Sequence, residues 1–146
     1  MQTRYAWLAG IIDGEGCLSI WRRNVRSGSG VKIVSTQAGI SITNSNAALL
    51  NECRELLDAL GVKHSYITPK NAAKRPMRRI FVRNHASLLI LLDAIDPYLI
   101  GKRDQAALLR EFVTRAAARK GFQATEERVG YCARMSELNQ FGELIP

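Results

Sequence analysis

Trp7-Leu8-Ala9-Gly10-Ile11-Ile12-Asp13-Gly14-Glu15-Gly16 is the stretch that decides how the rest of the chain is read. Its apolar letters, with small residues interleaved, describe a helix that ends at two acids separated by a glycine. The last turn of a helix has unpaired carbonyls and carries about half a negative charge, so Lys or Arg would stabilise it and carboxylates would not. Two acids at that end point to something positive that binds there. Ala6, Gly10 and Gly14 also put a small residue at every fourth position of the same helix. That spacing permits the backbones of two helices to approach closely.

The chain has 146 residues and a formal net charge of +8. Such a length suits one domain, 1–146, with a sizeable core. No apolar run nears the ~18 residues that a membrane span needs, and the N-terminus lacks a secretory pattern. Both observations predict an intracellular protein with no membrane partner. Cys17, Cys53 and Cys132 are widely spaced and form no CxxC or Cys/His cluster. They suit reduced, partly buried thiols better than disulfides or a zinc site. His64 and His85 are not spaced as metal ligands or as a catalytic pair.

The distribution of charge is more telling than its total. Gly16 to Asn51 contains no acid but has Arg22, Arg23, Arg26 and Lys32. Ala59 to Leu92 again has none, against Lys63, Lys70, Lys74, Arg75, Arg78, Arg79 and Arg83. A solvated surface normally mixes both signs. This segregation is the footprint of a face that binds a polyanion.

Thr3 can cap a first helix over about Arg4 to Asp13. Cys17 to Arg23 alternates as a half-buried strand, Asn24 to Gly30 reads as a hairpin loop, and Val31 to Thr43 returns as a second strand. Asn44 or Ser45 caps a helix with the stripe Leu49, Cys53, Leu56, Leu57 and Leu60, ended by Gly61. Val62 to Lys70 and Met77 to Arg83 form a second hairpin around a turn at Asn71 to Pro76. Asn84 caps a helix through about Ile95, where Asp96-Pro97 breaks it. Lys102 to about Lys120 and Thr125 to Phe141 read as two further helices. The fold class is α+β, in the order α-β-β-α-β-β-α with extra C-terminal helices. Its two hairpins make one four-stranded antiparallel sheet with helices on one face.

Leu8-Ala9-Gly10-Ile11-Ile12-Asp13-Gly14-Glu15-Gly16 resembles, letter by letter, the signature of the LAGLIDADG homing endonucleases, with Ile11, Gly14 and Glu15 as the variable letters. Pro97-Tyr98-Leu99-Ile100-Gly101-Lys102 is similar to a second family run, and the resemblance extends in pattern from residue 4 to about 105. It implies a saddle-shaped sheet lying in the DNA major groove. A single motif copy implies a homodimer whose two motif helices lie side by side, with Ala6, Gly10 and Asp13 at the interface. The pair would match a pseudo-palindromic target.

The same resemblance implies that Glu15 ligates a divalent metal, with the carbonyl of Gly14 as a second oxygen. Mg²⁺ suits hard oxygen ligands, offsets phosphoryl charge and activates water; Mn²⁺ or Ca²⁺ can occupy such a site. Asp13 matches a family letter without being the principal ligand, and the plainer reading is that it satisfies backbone donors. The resemblance puts Lys102 near the scissile phosphate, against a plain solvated lysine, and Asn44 in the solvent network of the site, against a plain helix cap.

Alternation assigns recognition. With Leu18, Ile20, Ile80 and Val82 facing the core, Ser19, Trp21, Arg23, Arg79, Phe81 and Arg83 lie on the other face. Ser35, Gln37, Ser41, His64, Tyr66, Thr68 and Lys70 join them if the register holds, and Arg26, Lys32, Lys74 and Arg75 add positive charge at the hairpin ends. Arginine can read guanine bidentately, and apolar groups can touch thymine methyls. Joined to these readings, the family resemblance implies a Mg²⁺-dependent, site-specific, intron- or intein-encoded homing endonuclease that cuts double-stranded DNA as a homodimer. The alternatives are an intron maturase, with intron RNA as partner, and a DNA-binding regulator that does not cleave.

Overall fold

The computed structural model describes residues 2–26, 28–30, 32–69, 76–118, 121–122 and 125–141, with backbone alone at 25, 32, 33 and 141. Helix α1 (Gln2–Glu15) runs without a linker into strand β1 (Gly16–Arg26). Gly16 makes that junction possible: a Cβ there would lie 2.7 Å from the Ile12 carbonyl oxygen and 2.9 Å from the Ile12 Cα. Strand β2 (Lys32–Asn44) follows β1. The two pair antiparallel along their length, from Gly16↔Ile42 to Arg26↔Lys32. The strands are longer than the alternation predicts, because Asn24 to Arg26, expected in the loop, continue the ladder.

Helix α2 (Ala47–Leu60) starts from Asn46, whose side chain accepts from the Leu49 N–H. The cap is therefore neither Asn44 nor Ser45. Asn44 sits one step earlier, its Oδ1 accepting from the Asn46 N–H at 2.8 Å. Gly61, with φ 76°, ends the helix in the left-handed region, and the Val62 N–H turns back to the Leu57 carbonyl at 2.9 Å.

Strands β3 (Ser65–Ile67) and β4 (Arg78–Val82) complete the sheet, in the order β1-β2-β4-β3. Of the expected long strand Val62 to Lys70, whose last residue lies outside the described ones, three residues form β3. Helix α3 (His85–Ile95) begins at Asn84, which accepts from the Ser87 N–H, and breaks at a 3₁₀ turn over Asp96–Tyr98. Helices α4 (Arg103–Ala117) and α5 (Thr125–Phe141) close the chain.

Among the described residues the architecture is α+β, with five α-helices packed on one face of a four-stranded antiparallel sheet. One sheet face is the core: Leu18, Ile20, Ala38, Ile40, Ile42, Ile80 and Val82 are all buried. The helices bury Leu8 and Ile12 of α1, Leu56 and Leu57 of α2, Leu88 and Leu92 of α3 and Phe112 of α4 in the same cluster. Asn139 of α5 donates to the Leu18 carbonyl at 2.8 Å, occupying a main-chain acceptor on the edge strand β1. All three cysteines are free thiols, Cys17 exposed and Cys53 buried. Burial pushes the Cys53 thiol up to about 11, with Glu52 adding to the shift. Among the described residues no helix is long and apolar enough to cross a membrane.

Candidate nucleic-acid interface and metal site

The two acids at the end of α1 have different surroundings. Asp13 is enclosed by the segment entering α4: its Oδ2 accepts from the Ile100 N–H at 2.8 Å and its Oδ1 from the Lys102 N–H at 3.0 Å. These donors lie at the N-terminal end of α4, where a carboxylate is favoured. The plain reading of Asp13 as an acceptor for backbone donors therefore holds in the folded chain. Lys102 completes the joint from the other side, its Nζ donating to the Asp13 carbonyl. It meets one of the helix-end carbonyls and sets a positive charge against the negative end of α1.

Glu15 takes no part in this joint. It is exposed, as is Gly14, and no described residue forms an ion pair or hydrogen bond with its carboxylate. The cation implied by two acids at a helix C-terminus is thus supplied by the protein only at the joint, while Glu15 stays uncompensated. Among the described residues no group of three or more His, Cys, Asp or Glu is placed to hold a metal ion. Any cation at Glu15 would take a single carboxylate and a neighbouring carbonyl from one chain. Mg²⁺, which keeps several waters and is usually held by one or two carboxylates, fits that donor set.

Asn44 ends β2 opposite Arg78 of β4. Its Oδ1 is engaged in the turn toward α2, while no described residue accepts from its amide nitrogen. The carbonyl half of the side chain is structural and the amide half is free.

The sheet face away from the core holds most of the residues that alternation assigns to it. Cross-strand pairs share a face, and the register reads Ser19↔Gly39, Trp21↔Gln37, Arg23↔Ser35, Ser41↔Phe81 and Thr43↔Arg79. The Arg79 Nε donates to the Thr43 Oγ1 at 3.1 Å, aiming the guanidinium along the face. Trp21 and Phe81 pack with ring centroids 5.7 Å apart, and the Arg83 guanidinium lies 5.8 Å over the Phe81 ring.

The register of β3 is a correction. Tyr66 pairs with Ile80 and so shares the core side, whereas Ser65 and Ile67, paired with Phe81 and Arg79, share the polar face. The Arg54 guanidinium of α2 lies 4.1 Å from the Tyr66 ring centroid, giving this amphipathic ring a cationic cover on the helix side. His64 turns the same way, its Nδ1 3.1 Å from the Val62 carbonyl and 3.9 Å from Asp58 of α2. Thr68 is exposed beyond the end of β3 and has no strand register. Arg26, exposed at the end of β1, has the parity of Ile20 and lies off the polar face by alternation. Lys70, Lys74 and Arg75 lie outside the described residues, as does the side chain of Lys32.

Along α1, Trp7, Gly10 and Gly14 are exposed, and Ala6 is half-buried beside them. Trp7 leaves 40% of its surface in solvent. A Cβ at Gly10 or Gly14 would meet nothing within 4 Å. Glycine inside a helix costs about 1 kcal/mol relative to alanine, and no described residue of the chain requires it at these positions.

An antiparallel sheet with one acid-free polar face, joined to an apolar helix that ends in a free carboxylate, defines the chain's α+β class. The chain belongs to the LAGLIDADG family: the model of the LAGLIDADG-like domain matches residues 2–96. Comparison with curated protein sequences found no match. Among solved structures, the chain is similar to the homing endonuclease I-CvuI in complex with the I-CreI DNA target in the presence of 2 mM Mg, where the DNA is not cleaved. That match has a TM-score of 0.76 at 19% identity, covering 99% of this chain and 87% of the other. It is also similar to the archaeal intron-encoded homing endonuclease I-Vdi141I complexed with DNA, with a TM-score of 0.70 at 19% identity over 92% of this chain and 83% of the other. The group I intron-encoded I-CeuI, also complexed with DNA, gives a TM-score of 0.73 at 13% identity over 92% and 67%. At these identities the likeness establishes a shared fold.

Proposed function

We propose that the protein is a divalent-metal-dependent, site-specific endonuclease of the homing type, which cuts double-stranded DNA as a homodimer. The observation that carries this reading is the unpaired carboxylate of Glu15 at a helix end that disfavours it. Such a placement costs stability unless a cation is bound, and Glu15 with the Gly14 carbonyl offers one the hard oxygen ligands it needs. A bound divalent cation supplies Lewis acidity at the phosphoryl group. The remaining work belongs to the chain. Lys102 holds positive charge at the same helix end, where a scissile phosphate would add negative charge. Asn44 can donate from its free amide to a solvent molecule. The polar sheet face, with Arg23, Arg79 and Arg83, binds and positions the duplex.

The exposed face of α1 supports the dimer reading. Gly10 and Gly14 have no steric reason within one chain, and Trp7 is a large apolar group left in solvent. A second copy of α1 packed on this face explains both features. It would bring the two Glu15 residues near one dyad, and the one-domain reading of residues 1–146 fits a protomer that needs its copy. The neighbours I-CvuI, I-Vdi141I and I-CeuI, described with DNA, support DNA as partner.

Two measurements test the proposal. Incubation of the purified chain with a randomised duplex library should give Mg²⁺-dependent double-strand cuts at a narrow set of related sites, abolished by chelation. Cutting that survives chelation, or none with Mg²⁺ or Mn²⁺, would refute it. Gly10→Leu should fold, because its site is open within the protomer, yet sediment as a monomer and lose double-strand cutting. A monomeric wild-type protein that still cuts both strands would sink the dimer.

A further inference from the structure

We infer that Gly39 is a positioning residue for base recognition, holding Trp21 and Phe81 as one low apolar patch that reads the C5 methyl groups of thymine in the major groove. This rests on the endonuclease reading above and names what the centre of its sheet face recognises. Gly39 is buried on the face that otherwise carries polar side chains. A Cβ at this position would lie 2.9 Å from two carbons of the Phe81 ring and 3.1 Å from the Val82 carbonyl oxygen. The ring can therefore lie down on the backbone of β2 only because residue 39 has no side chain. From there it reaches across the strand to Trp21 of β1, with 5.7 Å between the centroids.

The patch thus spans three strands. Gln37 and Ser41, the cross-strand partners of Trp21 and Phe81, lie beside it with Ser19. Among the described residues no helix covers this side of the sheet, because the helices pack against the opposite, buried face. The surroundings are cationic or neutral: Arg83 lies over Phe81, and no acid occurs between Gly16 and Asn51 or between Ala59 and Leu92. A polyanion fits such a surface, but a phosphate gains nothing from two rings. The one apolar feature a DNA groove presents among its donors and acceptors is the C5 methyl of thymine. The Phe81 ring seated over Gly39, tilted 40° to the Trp21 ring, offers an apolar surface to a groove wall, and the flanking Gln37, Ser41 and Arg79 can hydrogen-bond neighbouring base edges.

The test uses the full chain with duplexes recovered from a randomised pool by binding in Ca²⁺. Recovered duplexes should share thymines in the middle of each half-site. Replacing those thymines by 2′-deoxyuridine removes only the methyl and should weaken binding about fourfold per methyl, the value of one buried methyl-sized group. Gly39→Ala, which lifts Phe81 but keeps both rings, should bring the thymine-to-uracil ratio close to one. Its salt dependence, set by phosphates, should stay unchanged. Should Gly39→Ala fail to fold, Phe81→Ser must abolish the ratio instead. Recovered duplexes that tolerate uracil, or a folded Gly39→Ala protein that keeps the ratio, overturn this inference and leave the endonuclease reading standing. Recovery of no duplex overturns both. Preference for single-stranded RNA, lost in Phe81→Ser, overturns the methyl reading in favour of base stacking.

Discussion

The joint between α1 and α4 and the open tip of α1 are two residues apart in sequence and opposite in character. At the joint, Asp13 accepts from two backbone N–H groups and its own carbonyl accepts from Lys102. At the tip, Glu15 is solvent-exposed and has no partner among the described residues. The same acid chemistry on the same helix end serves structure in one place and is left available in the other. A carboxylate's role is set by whether donors from elsewhere in the chain reach it, and its position in a motif does not decide this.

Glu15→Gln should show the largest effect. With no partner to lose, this variant should keep its stability within about 0.5 kcal/mol. Its cleavage should fall at least about a thousandfold, or ~4 kcal/mol of barrier, with DNA binding retained. Denaturant melts and cleavage time courses read the two effects separately. Cleavage within about tenfold of wild type would show that Glu15 holds no metal.

Lys102→Met stands between the two regions. Its ammonium serves the joint through the Asp13 carbonyl, yet it carries charge at the end where the phosphate is proposed to lie. We expect a loss of about a hundredfold in cleavage, as for removal of one preorganised donor, together with about 1 kcal/mol of stability. A variant that loses stability alone would assign Lys102 wholly to the joint.

Asp13→Ala should show the reverse of the Glu15 pattern. It strips acceptors from the Ile100 and Lys102 N–H groups, and hydrogen bonds to a charged group are worth about 1.5–3 kcal/mol. With the site partly exposed, the low end of that range applies, about 1.5 kcal/mol in a urea melt. An unchanged melting midpoint would mean that the joint does not hold α1 against α4.

Legibility in the sequence followed the range of the determining contacts. Strands β1, β2 and β4 showed their core faces through alternation, because Leu18, Ile20, Ile40, Ile42, Ile80 and Val82 are buried by a layer that makes every second residue apolar. Gly61 and Asn84 mark helix ends by chemistry confined to a few residues. Strand β3 was not legible: Val62 and Ile67 have opposite parity, and the pairing of Tyr66 with Ile80 sets its ring on the helix side, under Arg54 of α2. The enclosure of Asp13 was legible only as one of two alternatives, since its donors lie 87 and 89 residues downstream. Gly39 gave no signal of its own, because its need is set by a ring on β4. The docking of Asn139 on Leu18, 121 residues apart, belongs to the same class.

The smallest effect falls on Asn44, where both characters meet in one side chain. Its Oδ1 holds the turn into α2 through the Asn46 N–H, while Asn46 itself is the cap. Alanine would remove both halves and could not tell them apart. Asn44→Asp keeps an oxygen for the turn and deletes only the amide donor. The new charge lies just before the N-terminus of α2, which favours it by a few tenths of a kcal/mol. Stability should therefore hold or rise slightly. If the free amide orients solvent at the cleavage site, the rate should drop about tenfold, or ~1.4 kcal/mol of barrier. Single-turnover cleavage with Mg²⁺ at fixed pH measures it. A variant as fast and as stable as wild type would reduce Asn44 to its turn, leaving Glu15 and Lys102 as the only side chains of this chain assigned to the chemistry.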